Sequence, residues 1–136
     1  MNDFFTKWYE LGSYFYLGPF SDAMYDKNLY VAIGFCMLLV PIVLLTLYYY
    51  VVNSRKFNRW WHWLLLVVII CAINFGIAFG VSYNGINTDG TGDVGFPLGA
   101  NCAGFSFINA FWTLIISFVW SMIIKWGSSQ CRRTPF

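Results

Sequence analysis

Three long stretches without a charged residue run through the chain, and they cover residues 28–54, 60–88 and 94–124. The hydrocarbon core of a bilayer is about 30 Å thick, and about 20 apolar residues of α-helix cross it. Each stretch is long enough to supply such a helix. We therefore predict three transmembrane helices, at about residues 29–52, 60–83 and 105–124.

The segment ahead of the first stretch, residues 1–27, has a different pattern. Apolar side chains recur at three- and four-residue steps between charged residues, at Phe4, Phe5, Trp8, Leu11 and Phe15. This spacing is typical of an amphipathic helix that lies in the membrane interface. Gly18 and Pro19 then end that helix. The predicted fold class is an all-α integral membrane protein, with three transmembrane helices preceded by an N-terminal amphipathic interfacial helix.

The charges at the ends of the predicted helices are sorted by sign. Six basic residues lie in two segments that contain no acid, namely Arg55, Lys56, Arg59, Lys125, Arg132 and Arg133. All the acids lie elsewhere, with only Lys7 and Lys27 among them, at Asp3, Glu10, Asp22, Asp26, Asp89 and Asp93. Short cytoplasmic loops collect Lys and Arg. We therefore predict that residues 1–27 are external and that the tail 125–136 is cytoplasmic, in a membrane such as the prokaryotic inner membrane.

Composition narrows the classes of function. Charged residues make up 10% of the chain, aromatic residues make up 22%, and the mean hydropathy is +0.60. A soluble domain averages about 25% charged residues, so the low charged fraction indicates the lipid bilayer as the main surroundings. The net charge of +2 follows from the sorting of charges between the two sides. It gives no reason to expect nucleic-acid binding.

Small residues recur every four positions in the second predicted helix, at Ala72, Gly76 and Gly80. We call this set the small-residue ridge. Such a ridge lets two helix backbones approach closely, and close packing is a main source of helix association in lipid. Two interpretations are open. The ridge packs against another helix of the same chain, or it forms an interface with another subunit.

Uncharged polar residues recur at the same spacing in the third predicted helix, at Asn109, Thr113, Ser117 and Ser121. We call this set the polar row. One interpretation is a second packing ridge, because Ser and Thr hydroxyls can bond to carbonyls of their own helix. The other is the polar lining of a water-filled path formed by copies of this helix. Asn74 lies at similar depth in the second helix, and we expect its amide to find a partner on another helix.

The glycine-rich segment between the second and third helices resembles the first half of a calcium loop. It has oxygen-bearing side chains at Asn87, Asp89, Thr91 and Asp93. The acid needed at the twelfth position is missing, because Leu98 stands there. We expect a solvated turn, with calcium binding as the alternative.

Cys102 is predicted to lie outside the membrane, which leaves open a disulfide between subunits.

The sequence offers no set of residues that is typical of a catalytic site. It has a single histidine, His62, and no set of nucleophile, base and acid that could gather on one side of the membrane. The predicted spans also lack the charged residues that pumps and ion-coupled transporters use. We therefore predict a non-enzymatic membrane subunit without a cofactor. It would anchor or scaffold a larger assembly of other membrane subunits or copies of itself; the alternative is a small homo-oligomeric channel lined by the third helix.

Overall fold

The computed structural model describes residues 2–10, 15–52, 60–87 and 97–124, and these residues form helices and no strand. The helices are α1 (Asn2–Glu10), α2 (Pro19–Asp26), α3 (Leu29–Leu47), α4 (Trp60–Asn87) and α5 (Leu98–Ile124). A π-helical turn, Tyr48–Val52, continues α3. The extended α3, α4 and α5 are each long and apolar enough to cross a membrane. The predicted all-helical class with three candidate spans is confirmed for the described residues.

The second and third long helices are longer than predicted. α4 ends at Asn87 rather than near residue 83, and α5 begins at Leu98 rather than near residue 105. Pro97 stands just before α5, where its missing N–H costs nothing, because the first backbone N–H groups of a helix have no partner within the helix. The Asn101 N–H bonds to the Pro97 carbonyl at 3.0 Å. Glycine, serine and asparagine at both ends suggested a loop, but packing overrides these weak propensities, as the burial of Ile86 illustrates.

The three long helices form an up-down-up bundle. Lys27, just before α3, donates from Nζ to the carbonyl oxygen of Gly85 near the end of α4, at 2.6 Å. Near the opposite end, Trp63 at the start of α4 donates from Nε1 to Ser121 Oγ at the end of α5, at 3.0 Å. α4 is therefore antiparallel to both neighbours, and α3 and α5 run in the same direction.

A buried core lies at each end of the bundle. The core at the start of α3 draws on α1, α2 and all three long helices, and it includes Phe20, Tyr30 and Phe105. The rings of Tyr30 and Phe105 meet edge to face, with their centroids 5.7 Å apart. The core at the other end includes Leu45 and Tyr49 of the extended α3, together with side chains from the start of α4 and the end of α5. The polar row lies along α5 between these two cores.

The N-terminal helix α1 packs on the bundle through part of its aromatic face. Phe5 and Tyr9 are buried, whereas Phe4 is 58% exposed. The Phe5 ring lies against Gly34 of α3 so closely that a Cβ at position 34 would overlap it. The sequence pattern assigned this aromatic face to the acyl chains of the membrane interface. In the structure Phe5 of this set instead contacts Gly34, and Trp8 lies against Trp112 of α5 with ring centroids 5.3 Å apart. The position of α1 relative to a bilayer stays a prediction.

Candidate functional site

The polar row lies inside the bundle of a single chain. The side chains of Asn109, Thr113, Ser117 and Ser121 are all fully buried. Ser106, one turn before Asn109, is also fully buried and extends the row toward the start of α5. The row faces α4, as the bond from Trp63 to Ser121 indicates. No part of the row is exposed on the outside of the chain, where a second copy of α5 could reach it.

Most hydroxyls of the row bond to carbonyls of their own helix. Ser106 donates to the Cys102 carbonyl at 2.7 Å, Thr113 to the Asn109 carbonyl at 2.8 Å, and Ser117 to the Thr113 carbonyl at 2.7 Å. Bonds of this kind remove the cost of burying a hydroxyl. They leave α5 with small side chains on its inner face, so that α4 can approach closely. This geometry fits the packing interpretation of the polar row.

Asn109 connects three helices at the centre of the bundle. Its Nδ2 donates to the backbone carbonyl of Asn74 on α4, at 3.0 Å. Its Oδ1 accepts from the hydroxyl of Tyr9 on α1, at 2.7 Å. That hydroxyl also lies 3.3 Å from Met37 Sδ on α3. Burial raises the pKa of Tyr9 well above its ordinary value, so the phenol stays protonated and donates.

Sequence reasoning missed Tyr9, the residue that links α1 to the polar row. The available signal was its position four residues after Phe5, which places both side chains on one face of a helix. The second signal was Asn109, an amide at mid-span that needs a partner. Neither signal shows that Tyr9 and Asn109 are partners, because the two residues are far apart in the chain.

The side chain of Asn74 is fully buried, but its amide is not hydrogen-bonded. Neither Oδ1 nor Nδ2 has a partner among the described residues, and only the backbone carbonyl of Asn74 is used, by Asn109. The sequence predicted that this amide would find a partner on another helix. The structure brings Asn74 and Asn109 together through one backbone group. The Asn74 carboxamide itself remains without the expected bond, which is unfavourable in an apolar interior.

The small-residue ridge faces the outside of the bundle. Ala72 and Gly76 are exposed, and Gly80 is half-buried. A Cβ added at either glycine would meet no atom within 4 Å. Beside the ridge, Phe79 stacks on Tyr83 with ring centroids 5.9 Å apart. The described helices of this chain therefore do not pack against these glycines. A subunit interface stays a prediction.

The calcium prediction falls mostly outside the described residues. Asn87 is the exposed last residue of α4, and Asp89, Thr91 and Asp93 lie outside the described ranges. Within those ranges, no group of three or more His, Cys, Asp or Glu side chains could hold a metal ion. The structure thus offers no described site for a cation.

Cys102 lies within α5 rather than in an external loop. Its side chain is fully buried, and the thiol is free. The difference follows from the early start of α5 at Leu98, which carries the cysteine into the bundle. A disulfide between subunits would require the start of α5 to leave its packed position.

Tyrosine and acid side chains pair at the end of the bundle that carries α1 and α2. Tyr16 donates to Asp22 at 2.9 Å, and Tyr25 donates to Asp3 at 2.5 Å. These hydrogen bonds raise the pKa of both phenols, because the neutral hydroxyl is the donor. Both pairs are exposed, so they fasten α1 and the segment around α2 only weakly.

Comparison with protein-family models, curated proteins and solved structures finds no match to this chain. The function must therefore be inferred from the geometry of the chain itself. That geometry consists of a polar row turned inward and a small-residue ridge turned outward.

Proposed function

We propose that this protein is a non-enzymatic membrane subunit that anchors or scaffolds a larger membrane assembly. The small-residue ridge carries the proposal, since two of its residues are exposed and no described atom lies near a Cβ built at Gly76 or Gly80. In lipid, apolar side chains gain nothing from leaving the acyl chains for one another, and close backbone contact is what favours association. An uncovered ridge of this kind is suited to a helix from another subunit.

The burial of the polar row adds support. A channel lined by α5 would need the polar row to face an axis shared by several copies of the chain. Here the row is fully buried inside one bundle and most of its hydroxyls bond to α5 carbonyls. The homo-oligomeric channel remains the alternative, and it would require α5 to rotate away from α4.

The orientation and location belong to the same proposal. We infer an external N-terminal end and a cytoplasmic C-terminal tail in a membrane such as the prokaryotic inner membrane. The charge distribution of the sequence supports this, since six of the eight Lys and Arg residues lie in the two segments predicted to be cytoplasmic, and only Lys7 and Lys27 lie at the end predicted to be external. Single cysteines placed at positions 53 and 90, in a background without native thiols, should label from opposite sides. Labelling of both from outside would contradict the orientation.

Purification in mild detergent tests the scaffold role directly. We expect the chain to carry other membrane proteins at a fixed ratio. We also expect the purified chain alone to give no conductance in reconstituted bilayers. A selective current from the pure chain, together with a homo-oligomer as the only species, would favour the channel instead.

A further inference from the structure

Two buried side chains carry the deepest contacts of α1 with the bundle, and half-buried Trp8 adds a ring contact with Trp112 at a centroid distance of 5.3 Å. α1 has nine residues, and isolated helices shorter than about 12–15 residues are marginal in water. Contacts with the bundle therefore contribute to holding it in place. Phe5 and Tyr9 are its buried hydrophobic side chains, and Phe5 lies against Gly34 at the surface of α3. Tyr9 reaches further, into the centre of the bundle.

The hydroxyl of Tyr9 ends on the polar row. Its ring packs on Phe105, with centroids 4.9 Å apart, and its hydroxyl donates to Asn109 Oδ1 at 2.7 Å. A charge-neutral hydrogen bond at this distance is well formed. The deepest polar contact of α1 is thus with the interior of the three-helix bundle. When Tyr9 leaves, Asn109 Oδ1 loses its donor.

A second polar group next to this contact is already without a partner. The carboxamide of Asn74 is fully buried and makes no hydrogen bond among the described residues, although its backbone carbonyl accepts from Asn109. Tyr9, Asn109 and Asn74 thus form a line from α1 across α5 to α4. Buried polar sites that offer two to four hydrogen-bonding groups take up water. The carboxamides of Asn74 and Asn109 together offer such a set.

We propose that α1 is a movable plug over a hydration site formed by the carboxamides of Asn74 and Asn109, and that water enters this site when Tyr9 leaves it. The structure represents the closed arrangement. In the open arrangement, water supplies the partner that Asn74 lacks and replaces the phenol on Asn109. The uptake of water lowers the free-energy cost of opening, so that the movement of α1 and the hydration of the site are coupled. This holds whether or not the chain works as a scaffold.

Thiol labelling tests the plug in intact membranes. Thr113 is fully buried, lies one turn after Asn109 and bonds to its carbonyl. In a background without native cysteines, Thr113→Cys reports entry of a water-soluble maleimide into the site. Tyr9→Phe keeps the ring but removes the hydroxyl. Because local opening sets the labelling rate of a buried group, we expect Tyr9→Phe to speed labelling at position 113 about tenfold.

Two controls separate plug opening from general loosening. Ser121→Cys places the probe in the same row, where Trp63 bonds to the native serine far from α1, and Tyr9→Phe should leave its labelling unchanged. Tyr30→Phe removes another buried phenol, which donates to Glu10 of α1 at 3.1 Å. We expect Tyr30→Phe to change labelling at position 113 less than about twofold, because Glu10 is half-exposed and water can replace the bond.

Addition of Asn74→Leu to the Tyr9→Phe chain tests the role of water. It removes a carboxamide that water would hydrate in the open site, so labelling at position 113 should fall back toward the parent rate.

Equal labelling in the parent and Tyr9→Phe chains would overturn the proposal, as would equal acceleration at positions 113 and 121. If Tyr9→Phe fails to reach the membrane, deletion of residues 2–10 serves as the second variant. The deletion should give the same acceleration of labelling at position 113. An unchanged labelling rate in this variant would also overturn the proposal.

Discussion

The small-residue ridge of α4 and the polar row of α5 have the same four-residue spacing but opposite surroundings. The polar row is fully buried, with its hydroxyls bonded inside the bundle. The small-residue ridge has two exposed residues, and its glycines have open space where a Cβ would be. Repeated spacing therefore identifies a helix face that is suited to close approach. It does not identify which neighbour approaches.

The small-residue ridge and the polar row also differ in the effect that a larger side chain would have. On the polar row, added volume must displace α4 or α3, because the interior is close-packed. On the small-residue ridge, added volume meets nothing within the chain. Substitutions that add bulk to each row should therefore separate stability of the chain from assembly with partners.

The largest effect is expected from Ser117→Leu. The serine side chain is fully buried, and overpacking a core costs about 1–3 kcal/mol. Loss of the hydroxyl bond to Thr113 adds little, because a carbonyl inside a helix keeps its backbone partner. Thermal unfolding in detergent should show a clear decrease in stability. Val119→Leu, at a side chain 51% exposed on the same helix, is the matched control and should leave stability unchanged.

A smaller effect, confined to assembly, is expected from Gly76→Ile. A branched side chain on the small-residue ridge holds a partner helix away, and the loss in association should be about 1 kcal/mol. The melting temperature of the isolated chain should not change, since no atom lies within 4 Å of the added Cβ. Gly104→Ile is the matched control, because Gly104 is also exposed with open space but lies on α5 outside the ridge. Equal loss of partner in both variants would contradict a specific interface.

The sequence was sufficient for the helical class and the number of candidate spans, because length and uncharged composition determine both. It was less informative for α4 and α5 boundaries. Asn84, Gly85 and Asn87 favour a loop by local propensity, whereas packing keeps them helical. Tyr9 could not be placed from its local pattern, since an aromatic side chain on an amphipathic helix suits either lipid or a neighbouring helix. The contact with Asn109 depends on tertiary structure alone.

Asn74→Leu tests the unpaired side-chain amide of Asn74, a buried residue of α4. Leucine has the same branching as asparagine, and it removes two buried polar atoms that lack partners among the described residues. Since an unpaired buried amide is unfavourable, the chain should become more stable by about 1 kcal/mol. Thermal unfolding beside the parent chain measures the change. A marked decrease in stability would show that the Asn74 amide is paired in the membrane.

The smallest effect is expected when the polar row loses hydroxyls but keeps its shape. Thr113→Val and Ser117→Ala together remove two hydroxyls that bond to carbonyls of α5 itself. Even polar contacts between membrane helices average only about 0.6 kcal/mol, and these bonds lie within one helix, so the double variant should unfold within about 0.6 kcal/mol of the parent. Partner retention should also be unchanged, because neither residue is exposed on the small-residue ridge side of the bundle. Loss of partner in this variant, with the unfolding temperature preserved, would mean that the polar row is exposed to another subunit and that α5 turns outward on assembly.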